Sequence, residues 1–273
     1  MSRKRTLPDV YRSRKRVCAT PANHSSQEAL NTNGVDWNDG ESSNHIDNSI
    51  VPNDTSCALA YLKNLFPVEK FEGRLPPIIL QHQLYAIVSN RTLVDQQLME
   101  LRNCGKIKLF KLGSEASEFC VLYADDYKSH VRKFIQNMSL NQAVIEKFLT
   151  SVVDQCQDIS LSKHKLMTEL KFKDEEVTQL VKACVLTVRD VGSWWMAFPG
   201  AGIFMKSFIR GRKAVLMMIR KCKYKEIIRE ELKSRKLPRI ARLGMEYHIH
   251  DLIGADLVEC VPTTSGMLLR LQE

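Results

Sequence analysis

Residues 92–123 read TLVDQQLMELRNCGKIKLFKLGSEASEFCVLY, and the order of patterns within them decides the fold. Leu93, Leu98 and Leu101 recur at the spacing of one helical face, which predicts a helix from Thr92. Cys104-Gly105 ends it. Lys106 to Leu112 then alternates basic and apolar residues with a period of two, the pattern of a strand. A turn through Gly113 to Ser117 leads to a second strand, Glu118 to Tyr123. Upstream, Ser56 is placed to cap a helix ending near Leu65, with Leu59, Leu62 and Phe66 on one side. Pro76-Pro77 opens another helix, Ile78 to Val88, because proline suits a first helical turn. Three helices followed by a hairpin is the order of a winged helix-turn-helix.

The same order returns twice. Leu140 to Val153, Ser162 to Leu170, and a helix capped by Asp174 and running to about Cys184 precede strands Val185–Arg189 and Trp194–Phe198. After the break Pro199-Gly200-Ala201-Gly202, helices are expected at Phe204–Lys221, Tyr224–Lys236 and Met245–Ile253, the last ended by Gly254. The final hairpin is Asp256–Val261 and Met267–Leu271, with Pro262 to Gly266 as its tip. The expected fold class is α+β, mostly α. Three tandem winged helices at 56–137, 138–200 and 201–273 follow a disordered tail at 1–55. The tail has no Lys or Arg between Val17 and Thr55 and few large apolar residues, too few to offset the entropy of ordering it. Arg3-Lys4-Arg5 and Arg12-Ser13-Arg14-Lys15-Arg16 within it read as a nuclear localisation signal, or else as a solvated basic tail.

The net charge is +9, and its distribution matters more than its size. Residues 206–242 hold fourteen Lys/Arg and three Glu, while residues 1–16 hold seven Lys/Arg and Asp9, so the rest of the chain is acidic. Within the larger block Lys206, Arg210 and Lys213 share a helical stripe. Arg220, Lys221, Lys223 and Lys225 crowd its end, and Arg229, Lys233 and Lys236 form another stripe beside Arg235; Arg212 and Arg242 complete the set. With so few acids the usual pairing four residues apart cannot neutralise these cations. The phosphates of nucleic acid are the obvious counter-charge, and an acidic protein surface is the other.

Catalytic signatures are missing from the sequence. Val188-Arg189-Asp190 only approaches the H-R-D of a protein kinase, with no Asn beyond four intervening residues after Asp190 and no D-F-G beyond it. Gly200-Ala201-Gly202 lacks the third glycine of a phosphate-covering loop. The eight cysteines include no C-x-x-C pair, so no zinc module and no metal or other cofactor is expected, and the thiols read as reduced. No apolar stretch approaches the roughly 20 residues of a spanning helix, so no membrane association is expected. His248 and His250 are two apart and do not share a helical face, which favours a structural role over ligation. Adjacent on a strand, Trp194 and Trp195 point to opposite faces: one belongs to a core, and the other covers the join to the third module or stacks on a base. In the first module Lys106 and Lys108 are expected to alternate outward along the wing with Lys111, near Arg91 and Arg102 of the third helix. Asp174-Glu175-Glu176 at the start of the second module's third helix argues against phosphate contact there.

Several stretches resemble the serine/threonine-protein kinase 19 family. They include Leu75-Pro76-Pro77-Ile78, Asp125-Asp126-Tyr127, Val185 to Asp190, Gly192-Ser193-Trp194-Trp195 and Pro199 to Gly202. Further on, Gly211-Arg212, Ala214-Val215-Leu216, Arg220-Lys221, Lys223-Tyr224, Tyr247-His248, His250 to Ala255 and Thr263 to Gly266 fit it as well. The likeness covers about residues 56–273. It implies three winged helices in a nuclear, chromatin-associated binder of double-stranded DNA. It also implies a part in transcription-coupled nucleotide excision repair, beside RNA polymerase II and its repair factors. The expected function is therefore a non-enzymatic scaffold that holds duplex DNA by its phosphates, largely without reading sequence. A protein adaptor with a basic docking face and, despite the missing motifs, a serine/threonine kinase are the alternatives.

Overall fold

Apolar residues at helical spacing form the helices. In α1 (Asp54–Leu65) Ala58, Leu59 and Leu62 turn inward, and the helix starts two residues before the expected Ser56. A computed structural model of the chain describes residues 54–113, 119–136 and 138–272. The basic clusters at 3–16, the expected tail up to residue 53 and most of the turn after Gly113 lie outside the described residues.

The first module continues with β1 (Ile79–Leu80), α2 (Gln81–Tyr85), α3 (Arg91–Asn103), β2 (Ile107–Lys111) and β3 (Phe119–Tyr123). The Asn90 side chain caps α3 by accepting from the Leu93 N–H at 3.1 Å. Next comes α4 (Ala124–Ile135), which the sequence reading left out. Asp125 and Asp126 in its first turn and Arg132 and Lys133 in its last suit the helix dipole, while Tyr127, Val131 and Ile135 point inward. The second module holds α5 (Gln142–Phe148), prolonged by a π-helical turn over Leu149–Val153, then β4 (Ser160–Ser162). Another such turn over Lys165–Glu169 leads to α6 (Asp174–Lys182), β5 (Leu186–Asp190) and β6 (Ser193–Met196). Asp174 is the first residue of α6 and not its cap; Glu176 takes the capping role by accepting from the Lys173 N–H at 2.8 Å. The third module runs α7 (Ala201–Arg220), β7 (Glu226–Ile228), α8 (Arg229–Ser234), α9 (Met245–Gly254), β8 (Val258–Thr263) and β9 (Gly266–Leu271).

Among the described residues three antiparallel sheets of three strands result, ordered β1-β3-β2, β4-β6-β5 and β7-β9-β8. In each, the strand that comes last in the chain lies in the middle. Registers such as Leu109↔Val121, Thr187↔Trp195 and Cys260↔Leu269 fix the pairings. The opening strands β1, β4 and β7 correct the sequence reading, which placed Ile79, Leu80, Ser162 and Glu226 to Ile228 inside helices. Strands of two or three residues that run into a helical turn are too short to display a period of two.

The described residues fall within one compact unit, Asn48–Glu273. One hydrophobic core draws on all three modules, including Phe66, Tyr127, Phe148, Phe198, Phe204 and Tyr247. Smaller cores lie under α1–α3 and between α7 and α9. Helix α4 links the first two modules: Tyr127 Oη donates to the Ala197 carbonyl at 3.0 Å, and His130 Nε2 donates to that of Pro199 at 2.9 Å.

Two further expectations are corrected at the facing hairpins of the first and second modules. Lys108 does not point outward. It is 3 % exposed, and its Nζ donates to the Cys156 carbonyl at 2.8 Å, because this side of β2 lies against the second module. Trp195 does not cover the join to the third module. Its ring sits between Lys111 Nζ of β2 at 4.9 Å and Arg189 Cζ of β5 at 4.4 Å. Trp194, on the other face, packs into the main core.

Candidate nucleic-acid interface

Helix α7 buries Phe204, Phe208, Gly211, Val215 and Ile219 along one face. The opposite face therefore carries the cations: Lys206, Arg210, Lys213 and Arg220 are exposed, followed by Lys221. None of these five has an ion pair among the described residues. The chain then turns sharply, because Tyr224 (φ 59°) and Lys225 (φ 56°) both adopt left-handed backbone, which is costly for residues with a Cβ. The turn projects Lys223, Tyr224 and Lys225 to the surface. Lys223 Nζ lies 4.9 Å from the Tyr224 ring, and that ring is 76 % exposed. Sequence reasoning met Tyr224 only within the family resemblance and gave it no contact role; the signal was an aromatic residue set between two lysines.

Five further cations of the block are occupied within the protein. Arg212 makes a bidentate pair with Asp251, Nε to Oδ2 at 2.9 Å and Nη2 to Oδ1 at 2.6 Å, and its guanidinium lies 4.4 Å from the Phe208 ring. Arg229 (2.5 Å) and Lys233 (3.7 Å) share Glu246. Arg235 pairs with Glu231 at 2.7 Å. Arg242 uses its main-chain N–H on Ser207 Oγ at 3.0 Å and its guanidinium on the Lys70 carbonyl at 3.3 Å. The exposed positive surface is thus concentrated on the outer face of α7 and the turn after it, with Lys236 and Arg239 exposed further on.

A third helix commonly enters the DNA groove in helix-turn-helix proteins, but α9 is enclosed here. Eight of its ten residues are buried. Tyr247 Oη donates to the Ile78 carbonyl at 3.0 Å, Gln83 Nε2 donates to the Tyr247 carbonyl at 2.9 Å, and His82 Nε2 donates to Asp251 Oδ1 at 2.7 Å. All three contacts tie α9 to the first module. His248 and His250 have structural surroundings. His248 stacks on Phe208 with ring centroids 6.1 Å apart, and a Cβ at Gly211 would come within 2.0 Å of its Nε2. His250 meets Tyr61 edge-on at 5.6 Å. Burial pushes both imidazoles down to about 4, so both are neutral at pH 7.

Both arginine candidates of the first module also act as ties. Arg91 pairs with Asp256 of the third module at 2.6 Å, and Arg102 Nε donates to the Gln157 carbonyl of the second at 3.0 Å. No described helix is long and apolar enough to cross a membrane, and no described cluster of His, Cys, Asp or Glu could hold a metal ion.

The described residues thus define a helix-rich protein with three small antiparallel sheets and a basic outer helix, and known proteins are similar to it in sequence. The chain is 47% identical over 222 residues to winged helix repair factor 1 of Homo sapiens, covering 81% of this chain and 87% of the relative. The proteins of that name from Mus musculus (49% identical; 79% and 85% covered) and Xenopus laevis (46% identical; 79% and 83% covered) are similar to it as well. The family model described as inactive serine-threonine protein kinase 19 matches residues 59–271, and the chain belongs to that family.

Proposed function

We propose that this chain is a non-catalytic nuclear repair factor that holds duplex DNA by its phosphates. On this reading the three modules at 56–137, 138–200 and 201–273 are winged helices. Their common strand order and their repeated succession of helices before a hairpin support it. The observation that carries the DNA reading is the run of exposed cations at the end of α7 and in the turn beyond it. Arg220, Lys221, Lys223 and Lys225 make the main contacts, with Lys213 behind them. Because α9 is buried, the helix that commonly reads base edges is enclosed in the third module, and the binding tolerates sequence.

The names of the relatives and the "inactive" of the family description support a repair role without kinase chemistry. The family resemblance supports assigning that role to transcription-coupled nucleotide excision repair, on chromatin, beside RNA polymerase II. The first two modules and the occupied arginines Arg212, Arg229, Arg235 and Arg242 then serve as a frame that presents the α7 face.

The reading is tested by measuring the affinity of the full chain for several unrelated duplex sequences of one length. Affinities within a few-fold of one another are expected. Discrimination of a thousandfold or more, as sequence-specific proteins show, would overturn it.

A further inference from the structure

A second basic surface differs in kind from the first. Between the first half of α7, the 238–242 loop and the turn after Phe71 runs a groove of about 430 Å³. Its framework is fixed by Arg242, which bonds Ser207 of α7 on one side and the Lys70 carbonyl on the other. Its rim carries Arg74, Lys206, Arg210 and Arg239. Arg74 is paired with Glu72, whereas Lys206, Arg210 and Arg239 have no ion pair among the described residues. The walls are aliphatic: Ile203 is 43 % exposed and Ile240 56 % exposed.

We infer that this groove is a docking site for an acidic segment of a partner protein that also carries large apolar side chains. The two unmet needs of the groove select that occupant. Three cations want counter-charge, and two isoleucines want removal from water. Phosphates of a duplex would meet the first need and leave the isoleucines wet. A single strand binds such grooves by stacking bases on exposed aromatic rings, and the aromatic residue here, Phe71, is 1 % exposed. A peptide in which Asp or Glu alternates with Leu or Phe meets both needs at once. The site is separate from the proposed phosphate surface: Lys206 and Arg220 lie about 21 Å apart along α7 at its rise per residue. Lys206 and Arg210 thus serve the groove, while Arg220 and its neighbours serve DNA.

The test is fluorescence anisotropy on the full chain with two labelled probes. One is a short peptide of Glu and Asp alternating with Leu and Phe; the other is a DNA duplex. A control peptide keeps the acids and replaces Leu and Phe by Ser. The double variant Ile203→Ser, Ile240→Ser alters only exposed side chains, and Arg239→Glu serves as an independent second variant. The expected result is that the apolar peptide binds more tightly than its serine control. The isoleucine variant should weaken that peptide by about tenfold or more and leave duplex affinity unchanged, and Arg239→Glu should weaken the peptide also. Equal binding of the two peptides, or an isoleucine variant with undiminished peptide affinity, would overturn the inference, since the surface would then attract charge alone. If the isoleucine variant weakened the duplex as much as the peptide, the groove would be a nucleic-acid surface and the inference would again fail.

Discussion

Asp251 of α9 is fully buried and is held by Arg212 of α7 through two hydrogen bonds, 2.9 and 2.6 Å long. His82 of the first module donates to the same carboxylate, so one buried charge joins the first helix of the third module, its third helix and the first module. Arg212 lies in the middle of the basic block, yet its role is internal. Removing one partner of a buried pair leaves the other uncompensated. Asp251→Ala should therefore destabilise the fold by about 3–5 kcal/mol, measured by denaturant unfolding. A loss below about 1 kcal/mol would contradict this.

The acid limb of stability has two sources. Burial pushes His248 and His250 from an ordinary 6.5 to about 4. The unfolded chain thus takes up protons at a pH where the folded chain does not. The stability these residues contribute is complete above pH 6.5, falls as the pH drops from there towards 4, and changes no further below. Each costs up to about 3 kcal/mol over that window. Asp251 behaves differently. Burial alone would raise its pKa, but the hydrogen bonds from His82 and Arg212 hold it below the ordinary 3.8, so its contribution is lost only at still lower pH. Unfolding free energies at pH 7 and pH 5 should accordingly differ for the parent, and less so for His248→Leu.

The contact between α9 and the first module leaves no room for a side chain at Gly254. A Cβ there would come within 1.8 Å of the His82 carbonyl oxygen, a backbone atom. Gly254→Ala should cost at least about 3 kcal/mol, the upper range of overpacking, and should separate the third module from the first before global unfolding. Hydrogen exchange at Gln83 and Tyr247 measures this; unchanged protection would refute it.

Charge alone does not mark a DNA contact in this block. Arg229→Gln, which breaks the pair with Glu246, should lower the melting temperature and leave the salt dependence of DNA binding as it was. Arg220→Gln should do the reverse, reducing the slope of log affinity against log salt by about 0.9. Melting curves and salt titrations of the two variants, run side by side, decide the matter.

Much of this architecture was legible in the sequence because it rests on periodicity. Leu98 in α3, and the alternation from Ile107 to Lys111, are strong local signals, although the inner face of α3 runs through Val94 and leaves Leu93 and Leu101 half-buried. The short strands β1, β4 and β7 carried no such signal, and α4, with a good amphipathic pattern at Tyr127, Val131 and Ile135, was passed over because it follows a completed hairpin. The site was legible as a block of charge but not in its parts. Which arginine faces solvent depends on partners remote in sequence, such as Asp251 for Arg212 and Glu246 for Arg229. Lys108 and Trp195 were misplaced for the same reason, since the second module covers one and Lys111 and Arg189 enclose the other.

The measurement that tests the central claim most directly is binding of a random-sequence duplex between about 50 and 200 mM salt. It compares the intact chain with a variant in which Arg220, Lys221, Lys223 and Lys225 are all changed to Glu. The account predicts a steep fall of affinity with salt for the parent, and loss of both affinity and slope in the variant. A variant that binds the duplex as tightly as the parent, with the same slope, would contradict it and assign these cations to a protein partner.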